Sequence, residues 1–237
     1  MVLGHYAVGL ALKRVEPEMS LGMLLLGVNL VDILLGILML AGIEHARFVP
    51  AMAGVYPFDF YDYPYSHSMV GGIVLSLLGF LLYQYWPVIR KSGSRLRPAL
   101  IFGAAIFSHF LCDIISHRPD LQLFGNGSPR IGLGLFGSMA GSVALEGTLL
   151  VLGLYWCQRA VSPSSSIGRP GFIFFITGLV IVYFWTLTDA PLRALHYPAS
   201  SEMRMAVLLV FGNLLFVGAG ILLDASCAKE GPAGSIQ

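Results

Sequence analysis

Charge is what this chain has least of: 11% of its 237 residues are Asp, Glu, Lys or Arg, against 56% hydrophobic and a mean hydropathy of +0.77. A soluble globular domain carries about 25% charge, so the composition excludes that class and points to a polytopic membrane protein. The net charge is +1 and no basic run is present, which removes the electrostatic case for a nucleic-acid partner. Cysteine is also scarce. Cys112, Cys157 and Cys227 lack the paired spacing of a zinc ribbon or a disulfide framework and read as small buried hydrophobes. No internal repeat is visible, which argues against an inverted-repeat transporter. The N-terminal MVLGHYAVGLALKR puts its charges after its apolar run, the reverse of a cleavable signal peptide, so retention is expected.

What is present is long apolar sequence. Windows of about 20 residues mark six spans, near 20–42, 66–86, 98–117, 133–157, 170–188 and 204–224. Residues 1–12 are too short to span and fit a half-length re-entrant helix. The expected fold is all-α: a single helical membrane domain over 1–237, with the candidate metal site in 1–157 and two further spans and a tail in 158–237. Lys and Arg divide nine against five between the two sides, which favours both termini in the cytoplasm. At 1.5 Å per residue, His5 then lies about 12 Å deep and Asp32 about 20 Å from the same surface.

Ionisable residues at such depth cost roughly 2.5 to 3.5 kcal/mol each on insertion scales. His109, Asp113 and His117 stand four apart in SHFLCDIISHRPD, a spacing that stacks side chains on one helix face. With His5, Asp32, His67 and Glu146 they make seven potential ligands, enough for one or two divalent metals, zinc being the expected ion. Some would instead orient ligating imidazoles. Each has a plainer reading. His5 alone is more often an interhelical hydrogen-bond donor, HxxxDxxxH could be a polar helix interface, and Glu146 lies between Gly141 and Gly147, which suggest close packing. An unpartnered Asp32 at mid-span demands a metal, a counter-ion or a proton relay.

Around His67, Ser66 and Ser68 read as helix N-caps or as substrate-binding hydroxyls, and alternatively as a nucleophile activated by His67. The aromatic run Tyr56, Phe58, Phe60, Tyr61, Tyr63 and Tyr65 reads as an interfacial belt or the wall of a lipid entrance. Asp59 and Asp62 read as solvated loop acids. Arg118 and Arg130 could hold a phosphate or carboxylate, or anchor a span boundary. His45 and His196 carry no expected role.

The text GHYAVGLALKR, Asp32 in the first span, YPYSHS, SHFLCDIISHRPDLQL, and IGLGLFGS followed by Glu146 resembles the inner-membrane metal-dependent hydrolases, the family with a LexA-regulated member in enteric bacteria. The resemblance covers residues 1 to about 150. The ligand order is also similar to that of the zinc-dependent phospholipase C and single-strand nuclease superfamily. NLVDILLG lacks the hydrolase family's common Pro-Asp-x-Asp, and YDYPYSHS replaces a more basic segment. The resemblance implies a bacterial inner-membrane hydrolase in which metal-activated water attacks an ester or phosphoester of a lipid or envelope substrate. His5, Asp32, His67, His109 and Asp113 would be core ligands. His117 and Glu146 would complete the shell or act as general base, and Ser66, Ser68 and Arg118 would bind substrate. The alternative from the residues themselves is an ion-coupled carrier using Asp32, Glu146 and His109 as a relay.

Overall fold

The computed structural model describes residues 1–49, 55, 58–85, 95–160, 168–196 and 198–227, with backbone alone at 48, 168, 189–196, 198–201 and 226–227. Tyr56 and the side chains of His196 and Cys227 therefore lie outside the described residues. Helix dominates. The order is α1 (Leu3–Val15), α2 (Leu21–Leu40), β1 (His45–Phe48), β2 (Phe58–Asp62), α3 (Met69–Tyr85), α4 (Leu96–Ser116), β3 (Leu121–Gln122), β4 (Arg130–Ile131), α5 (Met139–Gln158), α6 (Gly168–His196), α7 (Pro198–Val207) and α8 (Asn213–Cys227). A five-residue π-helical turn, Leu208–Gly212, makes α7 and α8 one continuous rod.

Among the described residues, five segments are long and apolar enough to cross a membrane: Leu21–Leu40, Leu96–Ser116, Met139–Gln158, Arg169–Thr188 and Glu202–Ala225. The expected span at 66–86 is represented by α3, which is apolar but only 17 residues long. The expected span at 133–157 starts later, at Met139, where Ser138 caps α5 by accepting from the Gly141 amide at 3.1 Å. Large apolar side chains such as Leu77, Leu82, Val151, Phe174 and Leu215 are exposed on the outer faces, as suits a lipid solvent.

The chain is not purely helical. β1 pairs antiparallel with β2, with His45 opposite Asp62, and β3 pairs with β4. The segment FDFYD alternates: Phe58 is buried, Tyr61 is exposed, and the acids point to partners. Asp59 meets Arg47 at 2.7 Å, and Asp62 meets His45 at 3.0 Å and the Asn126 amide at 2.7 Å. These acids are paired, not merely solvated. The Asn126 hydrogen bond, with His45, holds the Asp62 carboxyl below its usual range and joins the two hairpins.

α2 is the hub, packed on α1, α4, α7 and α8, while α1 lies against α5, α2 and α4. Leu10, Leu24, Leu25 and Val28 are fully buried at these contacts. Lys13 ties the end of α1 to α8 through Asp224 at 3.0 Å, and Asp224 also accepts from the Leu21 amide. The close approach of α1 to α5 comes at Gly153, where an added Cβ would sit 2.5 Å from the Ala7 carbonyl oxygen. Gly147 has no such neighbour within 4 Å, and Gly141 faces its own preceding turn at Leu135 and Ser138. The packing attributed to those two glycines belongs to Gly153. Cys157 is buried in the core and Cys112 half-buried.

Gly153→Ala should therefore push α1 off α5 and cost about 1–3 kcal/mol, the usual range for overpacking, while Gly147→Ala should be nearly neutral. Thermal unfolding in detergent checks both, and equal melting temperatures for the two variants would contradict this packing.

Candidate metal centre

The seven predicted groups come from separate parts of the chain: α1 gives His5, α2 Asp32, the turn before α3 His67, α4 His109 and Asp113, the end of α4 His117, and α5 Glu146. Six converge. Asp113, 1% exposed, is the centre. Its Oδ1 is 3.1 Å from His5 Nε2, and its Oδ2 is 3.1 Å from His109 Nε2, 3.6 Å from His67 Nε2 and 3.8 Å from His117 Nε2. Asp32 Oδ1 lies 3.5 Å from His67 Nε2 and 3.6 Å from His109 Nε2. Donors around a tetrahedral ion with bonds of 2.0–2.1 Å sit roughly 3.3 Å apart, so these separations are those of a ligand shell. Two groups, His5 with His109 and Asp113, and Asp32 with His67 and His109, could each hold a metal ion.

His117 differs from its expected place. Pro119 disfavours helical angles at Arg118, so the helix cannot run on; α4 ends at Ser116 and His117 has extended backbone (φ −66°, ψ 148°). Its ring still turns back toward Asp113, held by Nδ1 donating to Asp120 at 3.1 Å.

That contact is one of three that fix imidazole tautomers. His109 Nδ1 lies 2.8 Å from the Val28 carbonyl, which can only accept, so Nδ1 carries the proton and Nε2 offers its lone pair. His109 Nε2 is buried without a hydrogen-bond partner among the described residues. His67 Nδ1 lies 2.8 Å from Ser66 Oγ, which in turn lies 2.6 Å from Glu44 Oε2. A carboxylate accepts only, so the serine proton points to Glu44 and the hydroxyl oxygen accepts from His67. Glu44 Oε1 also accepts from the Tyr65 and Ser66 amides at 2.7 and 2.9 Å. The β1–β2 register makes this possible: His45 opposite Asp62 carries Glu44 alongside residues 63–66.

His5 is held by packing. Its ring stacks on His109 at 3.7 Å between centroids and 9° between planes, and its Nδ1 has no partner among the described residues. The Met1 amino group donates to Asp113 Oδ1 at 2.5 Å and lies 3.1 Å from His5 Nε2, a cationic group on the same two side chains.

Glu146 stands apart from this shell. Its Oε2 accepts from the Val2 and Gly4 amides at 2.8 and 3.2 Å, so the carboxylate caps the positive end of α1, the helix bearing His5. Ser68 caps α3 by accepting from the Gly71 amide at 2.9 Å, and both Ser66 and Ser68 are 1% exposed. Ser66, Ser68 and Arg118 are outside the described lining of the cavity that reaches the cluster, whereas Asp32, His67, Asp113 and His117 face it. The sequence reading passed over Glu44 and Asp120. Asp120 was within sight, three residues after His117 in the same motif; Glu44 had only its charge beside an apolar span as a signal. Tyr63 donates to Asp120 at 3.1 Å, and burial together with Asp120 pushes its phenol well above the usual range, so it stays a donor.

Comparison with family models, with curated proteins and with solved structures finds no match for this chain.

Removing a partner that orients a metal-binding histidine typically costs 10–100-fold in affinity. Ser66→Ala and Glu44→Gln should each weaken zinc binding by about that factor, with Ser76→Ala, remote on α3, as an unaffected control. Chelator-competition titration reads the affinities, and three equal values would dismiss the relay.

Proposed function

We propose that the protein is a membrane-embedded, metal-dependent hydrolase that cleaves an ester or phosphoester of a lipid or envelope substrate. The observation that carries this reading is the convergence of His67, His109 and His117 Nε2 on Asp113 while the Nδ1 atom of each ring is tied to an acceptor outside. A polar helix interface would use both ring nitrogens for hydrogen bonds. Here the inner nitrogens of His67 and His109 are aimed at carboxylates, and that of His109 has no hydrogen-bond partner among the described residues, which suits ligation.

The two carboxylates at the centre, Asp32 and Asp113, supply two negative charges, and the Met1 ammonium on Asp113 offsets one of them until a divalent ion takes its place. With Glu146 occupied at the head of α1, one ion is favoured over two, and His/Asp ligation suits zinc. A divalent ion held there would supply Lewis acidity, lowering the pKa of a bound water towards 7 and polarising a carbonyl or phosphoryl oxygen. Asp113 and His109 supply the buried side of the shell. Asp32, whose side chain is 18% exposed, faces the cavity from which substrate arrives. His117 borders the same cavity, and its Asp120 partner stabilises the imidazolium formed when Nε2 takes a proton from water. Water adds across the ester bond, yielding an acid and an alcohol. Glu146 keeps α1 and His5 in place. The same site in a bacterial inner membrane with cytoplasmic termini would open toward the periplasmic half.

A serine-nucleophile reading is weaker on this geometry, because the Ser66 proton is directed to Glu44 and the hydroxyl is buried off the cavity. His109→Ala and Asp113→Ala should lose the bound zinc and lower ester or phosphodiester turnover by about a hundredfold or more, while remaining membrane-inserted. Unchanged metal stoichiometry by elemental analysis in both variants would sink the proposal.

A further inference from the structure

The two C-terminal spans carry no motif, yet they complete a cavity of about 600 Å³ that is also lined by Asp32, His67, Asp113 and His117 of the His/Asp cluster. One end is polar, with Asp32, Asp113 and His117. The opposite wall is apolar, with Leu179 and Val182 from α6 and Leu209 and Phe216 from the α7–α8 rod. The π-helical turn lies on this wall, where insertions of this type often mark functional sites. Its Gly212 lines the cavity, and a Cβ added there would meet nothing within 4 Å, so the space is open. Trp185, Met203, Val207 and Leu208 border the cavity and are exposed on helices whose surroundings are apolar. Arg204 is the one Arg or Lys among the described lining residues, an exposed guanidinium at the start of the last apolar segment.

We infer that this cavity binds an anionic membrane phospholipid, with one acyl chain along α6 and the π-turn and the phosphate on Arg204. Three features select that occupant. The volume lies within the range of small-molecule sites, which bury most of a ligand's apolar surface. The exposed rim belongs to the helices that face lipid tails, so a chain enters sideways without crossing water. A guanidinium pairs bidentately with phosphate, and an Arg at a span boundary sits at headgroup level. An uncharged lipid would fill the walls and leave Arg204 unused. The inference rests on the hydrolase reading for the fate of the lipid, not for its binding, so the two can fail separately.

The test uses full-length protein in detergent, stripped of metal with EDTA, and native mass spectrometry with lysophosphatidylglycerol, lysophosphatidylcholine and monoacylglycerol of equal chain length. The anionic probe should bind about tenfold more tightly than the uncharged one, as a charge-assisted hydrogen bond allows. Arg204→Gln should erase that preference and leave monoacylglycerol unchanged. Gly212→Phe should weaken all three probes at least tenfold, while both variants keep wild-type zinc content on reloading. Equal affinity for charged and uncharged probes, or undiminished binding to Gly212→Phe, overturns the inference. Lipid binding as expected in a protein that never retains zinc would overturn the hydrolase reading and leave the cavity assignment standing.

Discussion

Asp113 sets the terms for the rest of the structure. A carboxylate 1% exposed in an apolar bundle is tolerable only where donors or a cation surround it. The Met1 amino group donates to it, and the Nε2 atoms of four imidazoles, from α1, α4, the turn before α3 and the residue after α4, converge on it as they would around a shared cation. One side chain thus ties together segments more than a hundred residues apart in sequence. Helix packing follows from the same requirement: α1 must sit deep enough to present His5, so it needs Gly153 on α5 for close approach and Glu146 on α5 for its open amides. α5 gives this cluster no side chain, but it positions the helix that bears His5.

Around the ligands runs a second ring of acceptors of three kinds: a helix carbonyl at Val28, a buried serine–carboxylate pair at Ser66 and Glu44, and a carboxylate at Asp120. Chemically different, they do the same thing, placing the proton on Nδ1 and the lone pair on Nε2. Rigid orientation of this sort ordinarily comes from helices, yet Glu44 and Asp120 sit in connections. The hairpins give those connections the required rigidity. Pairing His45 with Asp62 fixes Glu44 against Tyr65 and Ser66, and the Asp62 link to Asn126 braces one hairpin on the other. The strands are short because they hold two side chains in place and bury little core of their own.

The sequence revealed the candidate ligands because ionisable residues in an apolar chain are conspicuous, and six of the seven it marked do converge. Its helix boundaries were sound wherever apolar windows ended at polar text, as at Leu40 and Ser116. It failed where the deciding quantity was relational. Glu146 has the cost of a ligand wherever it points, and only the position of α1 shows that its Oε2 meets amides. Gly147 and Gly153 are indistinguishable as letters, and only the crossing point of α1 separates them. The hairpins were obscured because an aromatic, acid-rich stretch near a span reads equally as an interfacial loop, and alternation over five residues is a weak signal.

The absence of motif in the last two spans has a physical origin of its own. A metal shell admits few residue types at few positions, so its text is recognisable. An apolar wall asks only for volume and hydropathy, and many side chains meet both. The wall's local peculiarity is in the backbone: a π-helical turn, ending in a glycine, within an otherwise regular membrane-length rod. An extra residue in one turn shifts the helix face that follows, so that Asn213 reaches Tyr6 on α1 at 2.6 Å while Gly212 leaves space beside it. The rod therefore both braces the helix that carries His5 and opens room next to the cluster.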